Sequence, residues 1–314
     1  KTALITGAAS GIGRGLAVHA AGLGMNVVLM DLNEEGLTET QALIQGSPTL
    51  VLKCDVSNLE EFNLCKKKID AQFGMVHFLF NNAGIFLEGR AWKADQKNWK
   101  RIIDVNLMSV IYGLNLFVDE MINSNERCHI INTSSMAGII VGPALAPYTT
   151  TKHAVVGLTR TLHEDLAQND KVGVSVMCPG LVKTNIIERD HLGLDLDESS
   201  IDQHESAKNN AQWLADGVKE GMTTEDLAVI VFNKIELNQL NHKPVLGRVG
   251  FMGDLSHAPN FYGIDEVCKS ISKHVNSSNI HLHIIGSPIS IGESLSKKYP
   301  FVHYTGYLDE ENLI

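Results

Sequence analysis

The stretch SMAGIIVGPALAPYTTTK, from Ser135 to Lys152, carries a serine, a tyrosine and a lysine, with Tyr148 and Lys152 four residues apart. At that spacing on a helix two side chains share one face. A free tyrosine loses its proton at about pH 10, too high for an efficient base at neutral pH. A nearby ammonium, joined by the positive ring of an oxidised nicotinamide, favours the phenolate and is expected to lower that value. Ser135 follows a strand-like run and offers its hydroxyl to a substrate oxygen. The three together suit carbonyl/alcohol chemistry, in which the tyrosine moves an O–H proton while hydride passes to or from a nicotinamide. Taken singly, Lys152 reads as a surface lysine and the stretch as a loop entering a helix. The chemistry therefore depends on a cofactor site in the right place.

TGAASGIG, from Thr6 to Gly13, supplies a candidate. It follows an apolar run and opens a helical pattern. Glycine lets the backbone approach a pyrophosphate, and the free N–H groups at a helix start face its negative charge. Gly7, Ser10, Gly11, Ile12 and Gly13 are the expected contacts. No Gly-Lys-Ser/Thr follows, so the turn is not a P-loop. Asp31 ends the next apolar run, where a carboxylate accepts both hydroxyls of an adenosine ribose and repels a 2′-phosphate. Leu32 and the turn residues Ala8 to Ser10 offer no basic group for that phosphate, so NAD is expected rather than NADP. As a structural residue Asp31 would cap the following helix, a task Asn33 can take instead. Asp55 and Val56, then Asn82 and Gly84, lie after the third and fourth apolar runs and line the same expected crevice.

These residues need a scaffold. Short apolar runs at 2–6, 26–31, 49–55, 76–84, 128–135 and 172–180 alternate with helical patterns, including long ones near 95–123 and 147–169. Continuous apolar strands separated by helices predict a parallel sheet covered on both faces. Right-handed crossovers make it an α/β, doubly wound, Rossmann-like fold.

The chain has 314 residues, 44% hydrophobic and 20% charged, which is ordinary for a globular protein of one or two domains. A net charge of −10 with no basic stripe argues against nucleic acid. No run approaches the roughly 20 continuous apolar residues of a membrane span, and no membrane partner is expected. The chain begins at Lys1 inside an apolar run, which reads as a trimmed terminus. Lys66, Lys67 and Lys68 read as a solvated helix face. Cys54, Cys65, Cys128, Cys178 and Cys268 show no metal-type pairing and read as reduced, buried thiols of a cytoplasmic protein. The histidines, among them His281 and His283, show no ligand spacing either, so no metal is expected.

With TGAASGIG, NNAG, DVNL, NTSS…Y…TTTK and PGLVKT in order over about residues 1–235, the chain resembles the short-chain dehydrogenase/reductase family. The resemblance implies an NAD-dependent oxidoreductase of secondary alcohols or ketones, with a small-molecule substrate. The step from Ser135 to Tyr148 fits the second serine rather than Ser134. The resemblance adds Asn106 to complete a tetrad, holding a water that relays protons past Lys152. It brings Thr184 to the nicotinamide carboxamide. It also implies a substrate lid after Thr184, with Ile186, Ile187, Leu192, Leu194 and Leu196 as apolar contacts, and a homo-oligomer built on the long helices. A family member that binds nucleotide without turnover is the alternative.

The tail extends the pattern. Runs at 245–253, 280–286 and 301–307 read as strands, with helical segments near 261–275 and 290–298. This second, smaller α/β segment resembles the opening of the C-terminal half of a retaining, nucleotide-sugar glycosyltransferase. The division expected is 1–237 for the dehydrogenase domain and 245–314 for a fused fragment. The alternatives are a seventh strand of the main sheet at 245–253 and a cap or oligomer contact beyond it.

Overall fold

The computed structural model describes residues 1–187 and 216–240, and in the tail 248–252, 281–285, 297–298 and 302–304. Six strands form one sheet: β1 (Thr2–Thr6), β2 (Asn26–Asp31), β3 (Thr49–Lys53), β4 (Phe78–Asn81), β5 (Cys128–Thr133) and β6 (Val172–Met177). All pair in parallel, in the order β3-β2-β1-β4-β5-β6. The central strands β1, β4 and β5 are buried along their whole length, while the edge strands β3 and β6 are half-buried. That burial explains why the central runs are unbroken apolar stretches.

Alternate residues point to opposite faces. Ala3, Ile5, Val27 and Leu29 pack under α1 (Gly11–Gly22) and the last described helix, which we number α7 (Thr224–Leu240). Leu4, Val28, Met30 and Leu79 pack under α3 (Leu59–Phe73) and α5 (Ser109–Asn123), with Phe62 and Phe117 in the same cluster. α2 (Glu34–Leu43) and α3 start on side-chain caps, Asn33 accepting from Gly36 N and Asn58 from Glu60 N and Glu61 N. Lys66 on α3 departs from the solvated face expected of its run. Its ammonium lies over the Phe117 ring and pairs with Asp70 and Glu120.

The helical pattern near 95–123 is one run of three pieces: α4 (Gln96–Ile103), a π-helical turn (Asp104–Met108) and α5. Among the described residues it is the one helix long and apolar enough to cross a membrane by length and composition. Its apolar side is spent on the sheet and on α3. α6 (Ala146–Asp165) begins at the chemistry-bearing tyrosine stretch.

The chain leaves β1 toward β2 and β3, then returns to place β4 on the other side of β1. The loops after β1 and β4 therefore diverge and open a crevice at the carboxyl edge, where ligands bind in such sheets.

In the tail, β7 (Arg248–Met252), β8 (His281–Ile285) and β9 (Val302–Tyr304) form their own three-stranded parallel sheet. β7 is thus not a seventh strand of the main sheet. The helical segment expected near 261–275 and most of that near 290–298 lie outside the described residues, as do Leu192, Leu194, Leu196 and Cys268.

Candidate active site

A cleft of about 950 Å³ runs along the carboxyl edge of β1, β2, β3, β4 and β5. Every cofactor contact expected from the sequence lines it: Gly7, Ser10, Gly11, Ile12, Gly13, Asp31, Asp55, Val56, Asn82, Gly84 and Thr184, with Tyr148 and Lys152. Ser135 lines it as well, and Asn106 lies directly beneath.

The glycine turn is built for close approach. Gly7 and Gly11 have φ of +69° and +51°, a region that side chains disfavour. A Cβ on Gly13 would stand 1.9 Å from the Gly7 carbonyl oxygen, so only glycine lets α1 press against the turn. A Cβ on Gly11 would meet Thr184 Cγ2 at 3.1 Å, which puts Thr184 across the mouth of the cradle. The first turn of α1 has no side-chain cap and no acidic residue, leaving its N–H groups for an anion. The cradle fits a pyrophosphate.

Asp31 ends β2 with its carboxylate turned back to the turn. Oδ2 accepts from Ala9 N at 3.1 Å and Oδ1 from Asn33 N at 2.9 Å. A carboxylate has about four acceptor positions, so capacity for a ribose remains. Asn33, not Asp31, caps α2. Glu35 and Glu39 line the same end. Arg14, which sequence reasoning missed, also stands there, but its guanidinium is engaged. Nη2 donates to Ala9 O and Glu39 Oε2, both at 2.6 Å, and Nε to Thr40 Oγ1 at 3.0 Å.

Asp55 receives Ser57 N at 3.0 Å and Ser57 Oγ at 2.6 Å on Oδ1. Arg101 Nη1, from α4, reaches Oδ2 at 3.3 Å. Burial pushes this carboxyl up, but the Ser57 donors and the Arg101 cation outweigh it and hold it below its usual range. Arg101 is far from Asp55 in sequence, and no spacing signals the pair.

Asn82 joins three strand ends. Its N–H donates to Thr6 Oγ1 at 2.9 Å, its Nδ2 to Thr6 O at 3.0 Å, and its Oδ1 accepts from Thr133 Oγ1 at 3.2 Å. Its polar atoms hold the floor of the cleft together while its edge faces the cavity.

Asn106 sits in the π-helical turn and is 1% exposed. Oδ1 accepts from Ile85 N at 2.8 Å, and Nδ2 donates to Ile85 O at 2.9 Å and Thr151 Oγ1 at 3.3 Å. A Cβ on Gly84 would lie 3.3 Å from Lys152 Nζ and 3.4 Å from Asn106 Oδ1. Those two groups therefore face each other across Gly84. π-helical turns concentrate at functional sites, and nothing in the sequence spacing announces this one.

Ser134 and Ser135 separate cleanly. Ser134 Oγ is buried and donates to Lys152 O at 2.7 Å, fixing α6 to the end of β5. Ser135 faces the cleft, accepts from Ala137 N at 3.1 Å, and its hydroxyl pulls the Tyr148 phenol down. Lys152 Nζ donates to Thr133 O at 3.1 Å and lies 5.5 Å from the centre of the Tyr148 ring.

Without a cofactor, burial pushes the Tyr148 phenol up to about 12, against the pull of the Ser135 hydroxyl, and pushes the Lys152 ammonium down to about 8. In the protein alone the amine does not lower the phenol. Both groups sit in the same desolvated place, where each disfavours its own charged form. Residues Cys54, Cys65, Cys128 and Cys178 are free and buried, as expected, and no metal-ligating cluster occurs among the described residues.

A doubly wound sheet with a phenol and an amine facing a dinucleotide cradle at its switch point defines the class: a nucleotide-dependent oxidoreductase. Comparison with known proteins narrows it. Residues 1–192 match the family model described as short chain dehydrogenase. The chain is 31% identical to a CLA biosynthesis dehydrogenase/reductase of Lactiplantibacillus plantarum, over 76% of this chain and 86% of that one. It is 36% identical to human 15-hydroxyprostaglandin dehydrogenase [NAD(+)], over 60% of this chain and 70% of that one. A short chain dehydrogenase/reductase from Burkholderia phymatum, solved in complex with NAD, superimposes with a TM-score of 0.73 at 32% identity, covering 88% of this chain and 95% of that one. This chain belongs to the short-chain dehydrogenase/reductase family. It is an oxidoreductase acting on CH–OH groups, exchanging hydride between a nicotinamide cofactor and a secondary alcohol or ketone.

Proposed function

We propose that Tyr148 is the proton-transfer group of this reaction, that Ser135 binds the substrate oxygen, and that Lys152 and Asn106 support the proton path. The observation that carries the reading is the meeting of these four side chains beside the glycine cradle. When bound, the nicotinamide ring supplies the hydride acceptor or donor. In the oxidising direction the alcohol O–H proton passes to the Tyr148 phenolate, and the carbinol carbon gives up a hydride with its two electrons, leaving a ketone. Ser135 donates to the substrate oxygen and opposes loss of that oxygen's position. Lys152, charged below about pH 8, offers the ammonium that stabilises the phenolate before it takes up that proton. Asn106 holds Ile85 by both backbone groups, which fixes the strand-end loop against α6.

The residues that would hold the cofactor are Gly7 to Gly13 at the pyrophosphate, Asp31 at the ribose, Asp55 and Val56 at the base, and Thr184 with Asn82 and Gly84 toward the nicotinamide. NAD is favoured over NADP. Asp31, Glu35 and Glu39 crowd negative charge where a 2′-phosphate would sit, and Arg14 is already held by Glu39. Two relatives, one named for NAD(+) and one solved in complex with NAD, support the same choice. The same reading takes the protein as a cytoplasmic homo-oligomer with a small-molecule substrate and neither nucleic acid nor membrane as partner. It takes 1–237 as the dehydrogenase domain and 245–314 as a separate segment.

Purified protein with NAD and a panel of secondary alcohols should generate NADH absorbance at 340 nm. With NADP the specificity constant should be at least about tenfold lower. Equal use of both coenzymes would refute the NAD assignment.

A further inference from the structure

The cleft changes character along its length. Among the described residues, its charged side chains other than Lys152 stand toward the adenosine end: Arg14, Asp31, Glu35, Glu39, Asp55 and Arg101. Lys152 is buried and turned onto Thr133 O. Beyond Tyr148 the wall is Phe86, Ile140, Val141, Leu145, Leu181 and Ile187, with no charged side chain among the described residues. The Phe86 ring packs edge-on against Tyr148, their centres 5.0 Å apart, so the apolar surface begins at the reacting phenol itself.

This wall is preformed. The loop after β4 and the loop between Ser135 and Tyr148 are stitched together, Gly89 N donating to Ala144 O at 2.7 Å and Ala146 N to Gly89 O at 3.1 Å. Across the cleft, Lys183 N donates to Met222 O at 2.9 Å and Met222 N to Leu181 O at 3.1 Å. At the mouth, Val141 is 78% exposed and Ile186 37% exposed. A single exposed aliphatic residue needs no explanation. Two that line one cleft, continuous with its apolar wall, mark a surface that a hydrocarbon would cover.

Resting on the assignment of Tyr148 given above, we infer that the substrate is an uncharged secondary alcohol or ketone whose reacting carbon carries a hydrocarbon chain or ring, not a hydroxy acid or a phosphorylated sugar. A carboxylate or phosphate placed beside the carbonyl would leave water for Phe86, Ile140 and Leu145 with no cation among the described residues to meet it. A hydrocarbon in the same place gains with every methylene removed from water.

Two measurements test this. The first is kcat/KM with NAD along the series 2-butanol, 2-pentanol, 2-hexanol and 2-octanol, with 3-hydroxybutanoate as the charged counterpart of 2-pentanol. We expect a gain of about two- to fourfold per methylene, with 3-hydroxybutanoate at least about a hundredfold below 2-pentanol. Val141→Ser combined with Ile186→Ser should flatten the slope for the longest members. The second is calorimetric binding of 2-pentanone and 2-octanone to the NADH complex of Tyr148→Phe, which reads the wall without turnover. A flat series, or preference for 3-hydroxybutanoate, overturns the inference while leaving the oxidoreductase assignment of Tyr148 standing. Absence of turnover with ketone binding that still tightens with chain length sinks that assignment and sustains the apolar site.

Discussion

Lys152 is a buried amine whose ordinary value falls to about 8, and Tyr148 a buried phenol whose value rises to about 12. The first shift has a stability consequence with a definite sign. Between about pH 8 and the unfolded value near 10.5, the native protein has shed a proton that the unfolded chain still holds, so stability rises with pH through that window. Below pH 8 both states hold the proton, and the native state bears the full cost of burying it. Lys152→Met removes this dependence. Thermal midpoints of the two proteins, scanned from pH 7 to 9.5, should converge as pH rises, because the wild type gains and the variant does not. Parallel curves would contradict the buried-ammonium assignment. The Tyr148 shift acts above pH 10, where the native phenol keeps its proton and stability falls, so the scan stays clear of it. At the cofactor end, Asp31→Ala removes the ribose acceptor. The ratio of kcat/KM for NAD over NADP should drop at least about tenfold, and an unchanged ratio would count against the ribose role.

At the scale of elements, the cradle depends on α1 pressing onto the turn that precedes it. Gly13→Ala places a methyl 1.9 Å from the Gly7 carbonyl oxygen. The backbone must shift, and NADH affinity measured by fluorescence titration should weaken about tenfold or more. Retained affinity would mean the dinucleotide does not use this turn. Such elements were readable before any coordinates. TGAASGIG is a strand–turn–helix signal, and the six strands fall within the six apolar runs, because strands buried on both faces must be continuous in hydrophobicity. The sequence runs overshoot the strand ends at Asp55, Gly84 and Ser135, where the chain turns into the cleft yet stays half-buried. What could not be read was geometry that leaves no local pattern. The π-helical turn around Asn106 looks like ordinary helix in DVNL. Arg14 and Arg101 meet their partners across tens of residues, and Lys66 looks solvated until Phe117 is brought beneath it. The upward shift of Tyr148 in the protein alone leaves no local pattern for the same reason. Spacing puts an amine beside a phenol, but only packing decides how much water both have lost.

At the scale of the whole molecule, among the described residues the six strands of the main sheet pair with one another and the three tail strands form a sheet of their own. If 245–314 is a separate segment, limited chymotrypsin treatment of the full chain should cut first near Leu240. The product ending there should keep alcohol oxidation within about twofold. Loss of turnover in step with that cut would make the tail part of the enzyme. The long helices α4, α5 and α6 are the expected oligomer face, and a light-scattering mass of one chain would refute that expectation. All of this serves one claim, that Tyr148 carries the proton while the cradle holds the nucleotide. The most direct test is Tyr148→Phe, assayed for alcohol oxidation and for NADH binding on the same preparation. The account predicts a loss in kcat of about a hundredfold to ten-thousandfold, with the NADH dissociation constant changed by less than about threefold. Turnover within a factor of a few of the wild type would contradict it.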